Sequence, residues 1–200
     1  SIAVAAAFGF VFALVTAFTG DRSGAVIART QPMKLAAMEA LYEGSEGAPL
    51  TVVGVLQSEE KRSAGETFHF RIDIPKLLSI MSFRDAEAYV AGINDLIEGN
   101  AGRGILSAEE KIARGRAVVA TLDRYRTARD EGDEGTMRQI EELFDPDTAQ
   151  GEHFLREYFA YFGYGYIDDV QQLVPNVPLL FYSFRVMVGA GCLFILVLGL

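Results

Sequence analysis

The sequence predicts a mainly α membrane protein in which two transmembrane helix segments flank a largely helical extracytoplasmic loop with one small β-hairpin. Three observations lead there. Residues 1–20 and 186–200 carry no charged side chain, so all 18 Lys and Arg and all 27 Asp and Glu fall between Asp21 and Arg185. Strict apolar–polar alternation occurs in one short stretch, from Thr67 to Ile74. Elsewhere between the two ends, apolar residues recur at helical spacing and are framed by capping residues.

The first segment, Ile2–Thr19, is an uninterrupted run of Ala, Val, Ile, Leu, Phe, Gly and Thr. A helix needs ~20 such residues to cross a hydrocarbon layer of ~30 Å. A signal peptide would show a basic start and a small-x-small cleavage site, and neither is seen before Asp21. A buried core helix rarely lacks polar residues through five turns. Pro178–Leu200 is the second segment, with Arg185 near its start. The chain thus divides into 1–20, 21–177 and 178–200. Both ends look cut at a membrane helix, and the chain reads as an excerpt of a larger polypeptide.

With Arg185 set aside, the loop keeps all 27 acidic residues and one basic residue fewer than the chain's 18, a net charge near −10. That suits the non-cytoplasmic side, although the positive-inside rule weakens for loops beyond ~60 residues. Nothing in such a surface would neutralise phosphates, which excludes a nucleic-acid partner. The single Cys192 builds no disulfide framework.

Within the loop, Thr30 or Gln31 starts a helix with Pro32 in its first turn and good helix formers through Tyr42, stopped at Gly44. Thr51–Leu56 is Val-rich and pairs with Thr67–Ile74 through the polar Ser58–Glu66 connection. Phe68, Phe70, Ile72 and Ile74 fall on one face of the second strand; Thr67, His69, Arg71 and Asp73 fall on the other. Asp85 is placed to cap a helix carrying Tyr89, Ile93, Leu96 and Ile97 and closing at Gly99. Ser107-Ala-Glu-Glu110 is a capping box that opens a longer helix, whose mixed Arg and Glu face reads as solvated. Asp130–Gly135 is a turn, followed by a short helix, Thr136–Phe144. Seven Phe and Tyr residues crowd Phe154–Tyr166. They suit an interfacial or packing cluster, and a quinone-stacking surface is the sharper alternative.

Four strings go further. Gln31-Pro-Met-Lys34-Leu-Ala-Ala-Met-Glu39-Ala-Leu-Tyr resembles the start of the quinol-binding loop in subunit I of cytochrome bd ubiquinol oxidases. Ile74-Pro-Lys-Leu-Leu-Ser-Ile-Met-Ser-Phe-Arg84 resembles the family's segment after its hairpin, and Gly163-Tyr-Gly165 its pre-membrane motif. Val177-Pro-Leu-Leu-Phe-Tyr-Ser-Phe-Arg185-Val-Met187-Val-Gly resembles the start of its next transmembrane helix. The four occur in the family's order, which makes the resemblance specific.

The resemblance implies quinol oxidation at Lys34 and Glu39, with Gln31 a further quinol-binding candidate. A carboxylate beside a quinol hydroxyl is a natural base, and an ammonium stabilises developing negative charge. Five residues apart, Lys34 and Glu39 lie about 140° apart on an ideal helix, so a ligand touching both needs an irregular backbone. Met187 takes the place of an axial ligand of low-spin haem b; a thioether suits haem iron in electron transfer. Arg185, a costly charge in a membrane segment, is implied to pair with haem propionates or tune the haem. High-spin haem b and haem d would belong to the full protein, with ligands outside this chain. The implied setting is a bacterial cytoplasmic (inner) membrane, multi-pass, with residues 21–177 on the periplasmic side. The implied partners are quinol in the bilayer, membrane lipids and a second membrane subunit.

His69 and His153 have no partner at ligand spacing and read as surface residues. Residues 85–152 match the family least and read as a helical insert with a scaffolding or lid role. A non-enzymatic membrane sensor or partner-binding protein with an extracytoplasmic helical domain shares this layout. Flanking sequence would separate the two, because an oxidase continues into helices with intramembrane histidines.

Overall fold

The computed structural model describes residues 2–63 and 65–200. Ser1, at the head of the predicted first segment, and Ala64, in the predicted hairpin connection, lie outside the described residues. The elements run α1 (Ile2–Thr30), α2 (Pro32–Glu39), β1 (Ser45–Glu46), β2 (Leu50–Leu56), α3 (Glu59–Ser63), β3 (Phe68–Ile74), α4 (Leu77–Phe83), β4 (Tyr89–Val90), α5 (Ile93–Glu98), α6 (Ala108–Glu131), α7 (Glu134–Leu143), α8 (Ala149–Glu157) and α9 (Val177–Gly199). A 3-10 stretch, Phe159–Tyr166, follows α8. The chain forms two compact units, one holding everything up to Leu96 together with Val174–Leu200, the other Ile97–Leu173.

In the first unit, α1 and α9 are each long and apolar enough to cross a membrane. Their side chains point outward all round: Phe8, Phe12 and Phe18 on α1 and Leu179, Val186 and Phe194 on α9 are exposed. In α1, Thr16, Thr19 and Ser23 turn their hydroxyls back onto the carbonyls of Phe12 (2.8 Å), Val15 (3.0 Å) and Thr19 (2.9 Å), leaving no free donor on the apolar surface. The helix does not stop at Gly20-Asp21, where the sequence suggested an exit. Polar side chains can leave the apolar layer without ending the helix, and a lone Gly costs only about 1 kcal/mol. Pro32 brings the break, because it disfavours helical backbone at the preceding residue. Gln31 accordingly sits at φ −137° and ψ 59°.

The far end of α1 packs into a core formed by Ala28, Leu35, Ala48, Leu78 and Val90, flanked by Ile27, Leu41, Leu50 and Phe83. Two polar side chains tie its loops. Ser79 Oγ accepts from Ala48 N (2.8 Å) and donates to Ala88 O (2.7 Å). Asp95 Oδ2 accepts from Tyr89 Oη (2.7 Å), Gly92 N (3.0 Å) and Gly44 N (3.1 Å). Asp85 does not cap a helix. Its carboxylate accepts from Glu87 N at 3.0 Å in a turn, Tyr89–Val90 pairs with Ser45–Glu46 as a two-residue sheet, and the helix is confined to α5.

The predicted hairpin forms, with β2 antiparallel to β3 in the register Thr51↔Asp73, Val53↔Ile72 and Val55↔Phe70. Its apolar side is turned outward: Phe70 is 56% exposed, Ile72 53% and Val53 51%. The inward side carries buried Thr51 and, at Gly54, so close an approach that an added Cβ would lie 3.0 Å from Phe68 and 3.2 Å from Phe181. His69 and Arg71 of β3 are exposed as well, so the strand does not bury an apolar face as a half-buried strand would.

The second unit is a helical assembly around α6. The capping box forms as read: Ser107 Oγ accepts from Glu110 N (3.1 Å) and Glu110 Oε2 accepts from Ser107 N (3.1 Å). Asp133, not Thr136, begins α7, accepting from Gly135 N and Thr136 N at 3.1 Å each. The 3-10 stretch lies hard against α6: a Cβ on Gly115 would come within 2.4 Å of Gly165 N and Tyr161 O. The aromatic residues pack mainly on one another, with Phe144 edge-on to Phe154 (5.3 Å) and Phe159 (5.7 Å), and Phe154 stacked on Tyr158 (5.7 Å). That arrangement is a packing cluster, with Phe159 and Tyr166 left exposed at its edge.

Candidate quinol site

The sequence places Glu39 at the end of a helix, and the structure ends that helix in an unusual way. α2 closes not at Gly44 but at Ala40, a non-glycine residue in the left-handed region (φ 50°, ψ 37°). Leu41 N donates to Ala36 O at 2.8 Å across the reversal. Ala36, Ala37 and Ala40 are almost wholly buried, so the small side chains let the turn sink into the unit. Glu39 is carried down with them and is 5% exposed.

A buried carboxylate needs partners. Arg185, on the third turn of α9, supplies them. Its Nη2 donates to Glu39 Oε2 (2.8 Å) and Thr51 O (2.7 Å); its Nη1 donates to Met38 O (2.7 Å) and Phe181 O (3.2 Å). The guanidinium also stands 3.5 Å over the Phe181 ring, which is fully buried. One cation thus joins the end of α2, the start of β2 and α9. Burial raises the Glu39 pKa above its ordinary value, against the opposing pull of the Arg185 charge and hydrogen bond.

Glu39 also lines a cleft of about 140 Å3 whose walls include Tyr42, Glu43, Thr51, Thr67, Phe68 and Arg71. Behind the wall, Thr51 Oγ1 donates to Asp73 Oδ1 (2.9 Å), and Asp73 pairs with Arg71 (3.0 Å).

The other residues singled out in the sequence lie apart from this group. Gln31, just before α2, and Lys34, on α2, are exposed, and Lys34 is not among the described residues lining the Glu39 cleft. Met187 follows Arg185 by two residues, about 200° round the helix, and is 62% exposed. Its thioether is therefore open to a group outside this chain, which fits an axial haem ligand. Arg185 is less free. All four of its Nη contacts go to this chain, and its buried Nε is the side-chain donor left without a partner among the described residues. His69 is exposed on β3, and His153 on α8 lies edge-on to Tyr158 at 6.3 Å. Among the described residues no three His, Cys, Asp or Glu side chains gather in a metal-binding group.

The Arg185–Glu39 contact spans 146 residues of sequence. Its only sequence signal was a charge in an apolar segment, which announces that a partner exists without naming it.

The chain is 29% identical over 208 residues to the cytochrome bd-II ubiquinol oxidase subunit 1 of Escherichia coli (strain K12), covering 99% of this chain and 36% of that protein. It is 32% identical over 94 residues to a putative cytochrome bd menaquinol oxidase subunit I of Bacillus subtilis (strain 168), covering 47% of this chain and 20% of that one. The solved bd oxidase of Geobacillus thermodenitrificans aligns over 88% of this chain and 33% of its own at 23% identity, with a TM-score of 0.38, a likeness too loose to carry a structural argument. The chain spans about a third or less of the length of these relatives. The model of the family described as cytochrome bd terminal oxidase subunit I matches residues 1–200, and the chain belongs to that family.

Proposed function

We propose that this chain forms the quinol-oxidising region of a quinol:oxygen oxidoreductase, with Glu39 as the proton acceptor. The observation that carries the reading is the buried Glu39 carboxylate, fixed by Arg185 on the helix that also bears Met187. A carboxylate raised by burial takes a proton more readily than one in water, as a base for a quinol hydroxyl requires. The two hydroxyls stand at opposite ends of the quinol ring, and the divergence of Lys34 and Glu39 supports a reading in which each serves one of them. Lys34, with Gln31 beside it, holds one oxygen from the exposed side of α2; Glu39 takes the proton of the other.

Met187 would hold the low-spin haem b, with its second ligand outside this chain; when bound, the haem supplies a one-electron acceptor. Arg185 keeps Glu39 in place and sets a fixed positive charge two residues from that ligand. High-spin haem b, haem d, a second membrane subunit and oxygen reduction belong to the full protein. α1 and α9 cross a bacterial inner membrane in this reading, with the intervening loop on the periplasmic side. In the intact oxidase, Glu39→Ala is expected to abolish or strongly lower quinol-driven oxygen uptake while artificial electron donors remain effective. Unchanged quinol kinetics would remove Glu39 from the mechanism.

A further inference from the structure

A base that takes a quinol proton must discharge it before the next turnover, and Glu39 is too buried to do so directly into bulk water. We propose that the cleft beneath Glu39 is the proton exit, leading between the end of α2 and the β-hairpin to the extracytoplasmic solution. This rests on the reading of Glu39 as the quinol base.

Three features of the molecule carry it. First, the cleft reaches a side chain that is 5% exposed, and its volume of about 140 Å3 holds several waters. Second, its walls carry hydroxyls and charges, from Thr51, Thr67, Glu43 and Arg71, which suit ordered water rather than hydrocarbon. Third, it does not end blindly. Gly65, Thr67, Phe68 and Arg71 are shared with a wider depression of about 430 Å3 lined further by Gln57, Glu66, His69 and Phe70. Glu39 thus stands at the inner end of a path that carries polar groups along its length and whose outer part is open.

The step balances simply. The quinol O–H bond breaks, its electron pair stays on the quinol oxygen, and the proton joins the Glu39 carboxylate. The new Glu39 O–H then breaks toward a cleft water, and the proton leaves along the water file. Glu39 returns to the carboxylate, held again by Arg185, before the next quinol arrives. Glu43, exposed at the cleft and held by Asn94 Nδ2 at 2.5 Å, is a secondary acceptor on the way.

The test is Thr67→Phe, which fills the cleft, beside Thr67→Ser, which keeps its hydroxyl, in the intact oxidase reconstituted in vesicles. Oxygen uptake driven by an artificial electron donor shows that each variant is assembled. Thr67→Phe is expected to lower quinol-driven turnover roughly tenfold, about 1.4 kcal/mol in the barrier, with slower proton release and a larger solvent deuterium isotope effect. Thr67→Ser is expected to match the unaltered enzyme in all three. An assembled Thr67→Phe enzyme with unchanged turnover, proton release and isotope effect overturns the exit. Glu39→Gln run in parallel separates the two ideas: if it too is unaffected, the quinol base itself is misassigned; if it alone is inactive, only the exit fails.

Discussion

Arg185 on α9 donates to Glu39 at the end of α2 across 2.8 Å, and both side chains are largely withdrawn from solvent, at 13% and 4% exposure. The same guanidinium reaches the carbonyls of Met38 and Thr51 at 2.7 Å each. A buried pair of this kind is not a large source of net stability, because desolvation offsets most of the attraction. Its value lies in what it fixes: a single position for Glu39, referred to a membrane helix.

Arg185→Met should therefore act on both stability and chemistry. Removing one partner of a buried ion pair costs about 3–5 kcal/mol. The chemical sign follows from the causes of the Glu39 shift. Burial raises its pKa and Arg185 lowers it, so losing Arg185 leaves burial unopposed and raises the pKa further. A base works only when deprotonated, so the acid limb of the quinol kcat/KM profile should move to higher pH. Arg185→Lys, which keeps the charge but not the fork of four contacts, should fall between the two. An acid limb unmoved in a folded Arg185→Met enzyme would show that the pair does not control the base.

Met187→Leu separates ligation from packing. Met187 is 62% exposed in this chain, so its side chain is mostly free of packing contacts. The swap nearly conserves volume and should cost less than about 1.5 kcal/mol. It is expected to alter the low-spin haem spectrum of the intact oxidase while the other haems remain. An unaltered low-spin spectrum excludes Met187 as the ligand.

The second unit offers a packing prediction that spares the chemistry. Gly115→Ala forces a methyl within 2.4 Å of backbone atoms in the 3-10 stretch, whereas a Cβ on Gly163 meets nothing within 4 Å. Gly115→Ala should destabilise residues 97–173 by about 1–3 kcal/mol, and Gly163→Ala should be close to neutral. Amide hydrogen exchange of α6 in the intact protein reads both. Equal protection in the two variants would contradict the close crossing.

These contrasts show what can be read from sequence. The local signals were legible because they are chemically complete within a few residues. The capping box at Ser107 and Glu110, the Pro32 break and the alternation of Phe68–Ile74 each specify a backbone without reference to the rest of the chain. The extent of α1 past Asp21 was not legible, because polarity marks the edge of an apolar layer rather than the end of a helix. Asp85 misled because a capping residue and a turn residue are the same residue, and the pairing of Tyr89 and Val90 with Ser45 and Glu46 decided between them. Of the site, Glu39, Lys34, Arg185 and Met187 were each visible as motif residues. That Arg185 closes on Glu39, while Lys34 stays outside the cleft, depends on the reversal at Ala40, a conformation that alanine does not advertise.

The most direct measurement is quinol oxidation by Glu39→Gln in the intact oxidase. Glutamine keeps the side-chain shape and can accept from Arg185 through its carbonyl oxygen, but it cannot take up a proton. Quinol-driven oxygen uptake should fall by about 10²–10⁴-fold, the usual worth of a general base, while uptake with an artificial donor stays at the level of the unaltered enzyme. Quinol-driven uptake that survives in Glu39→Gln, with both donors equally effective, would contradict the assignment of Glu39 as the proton acceptor.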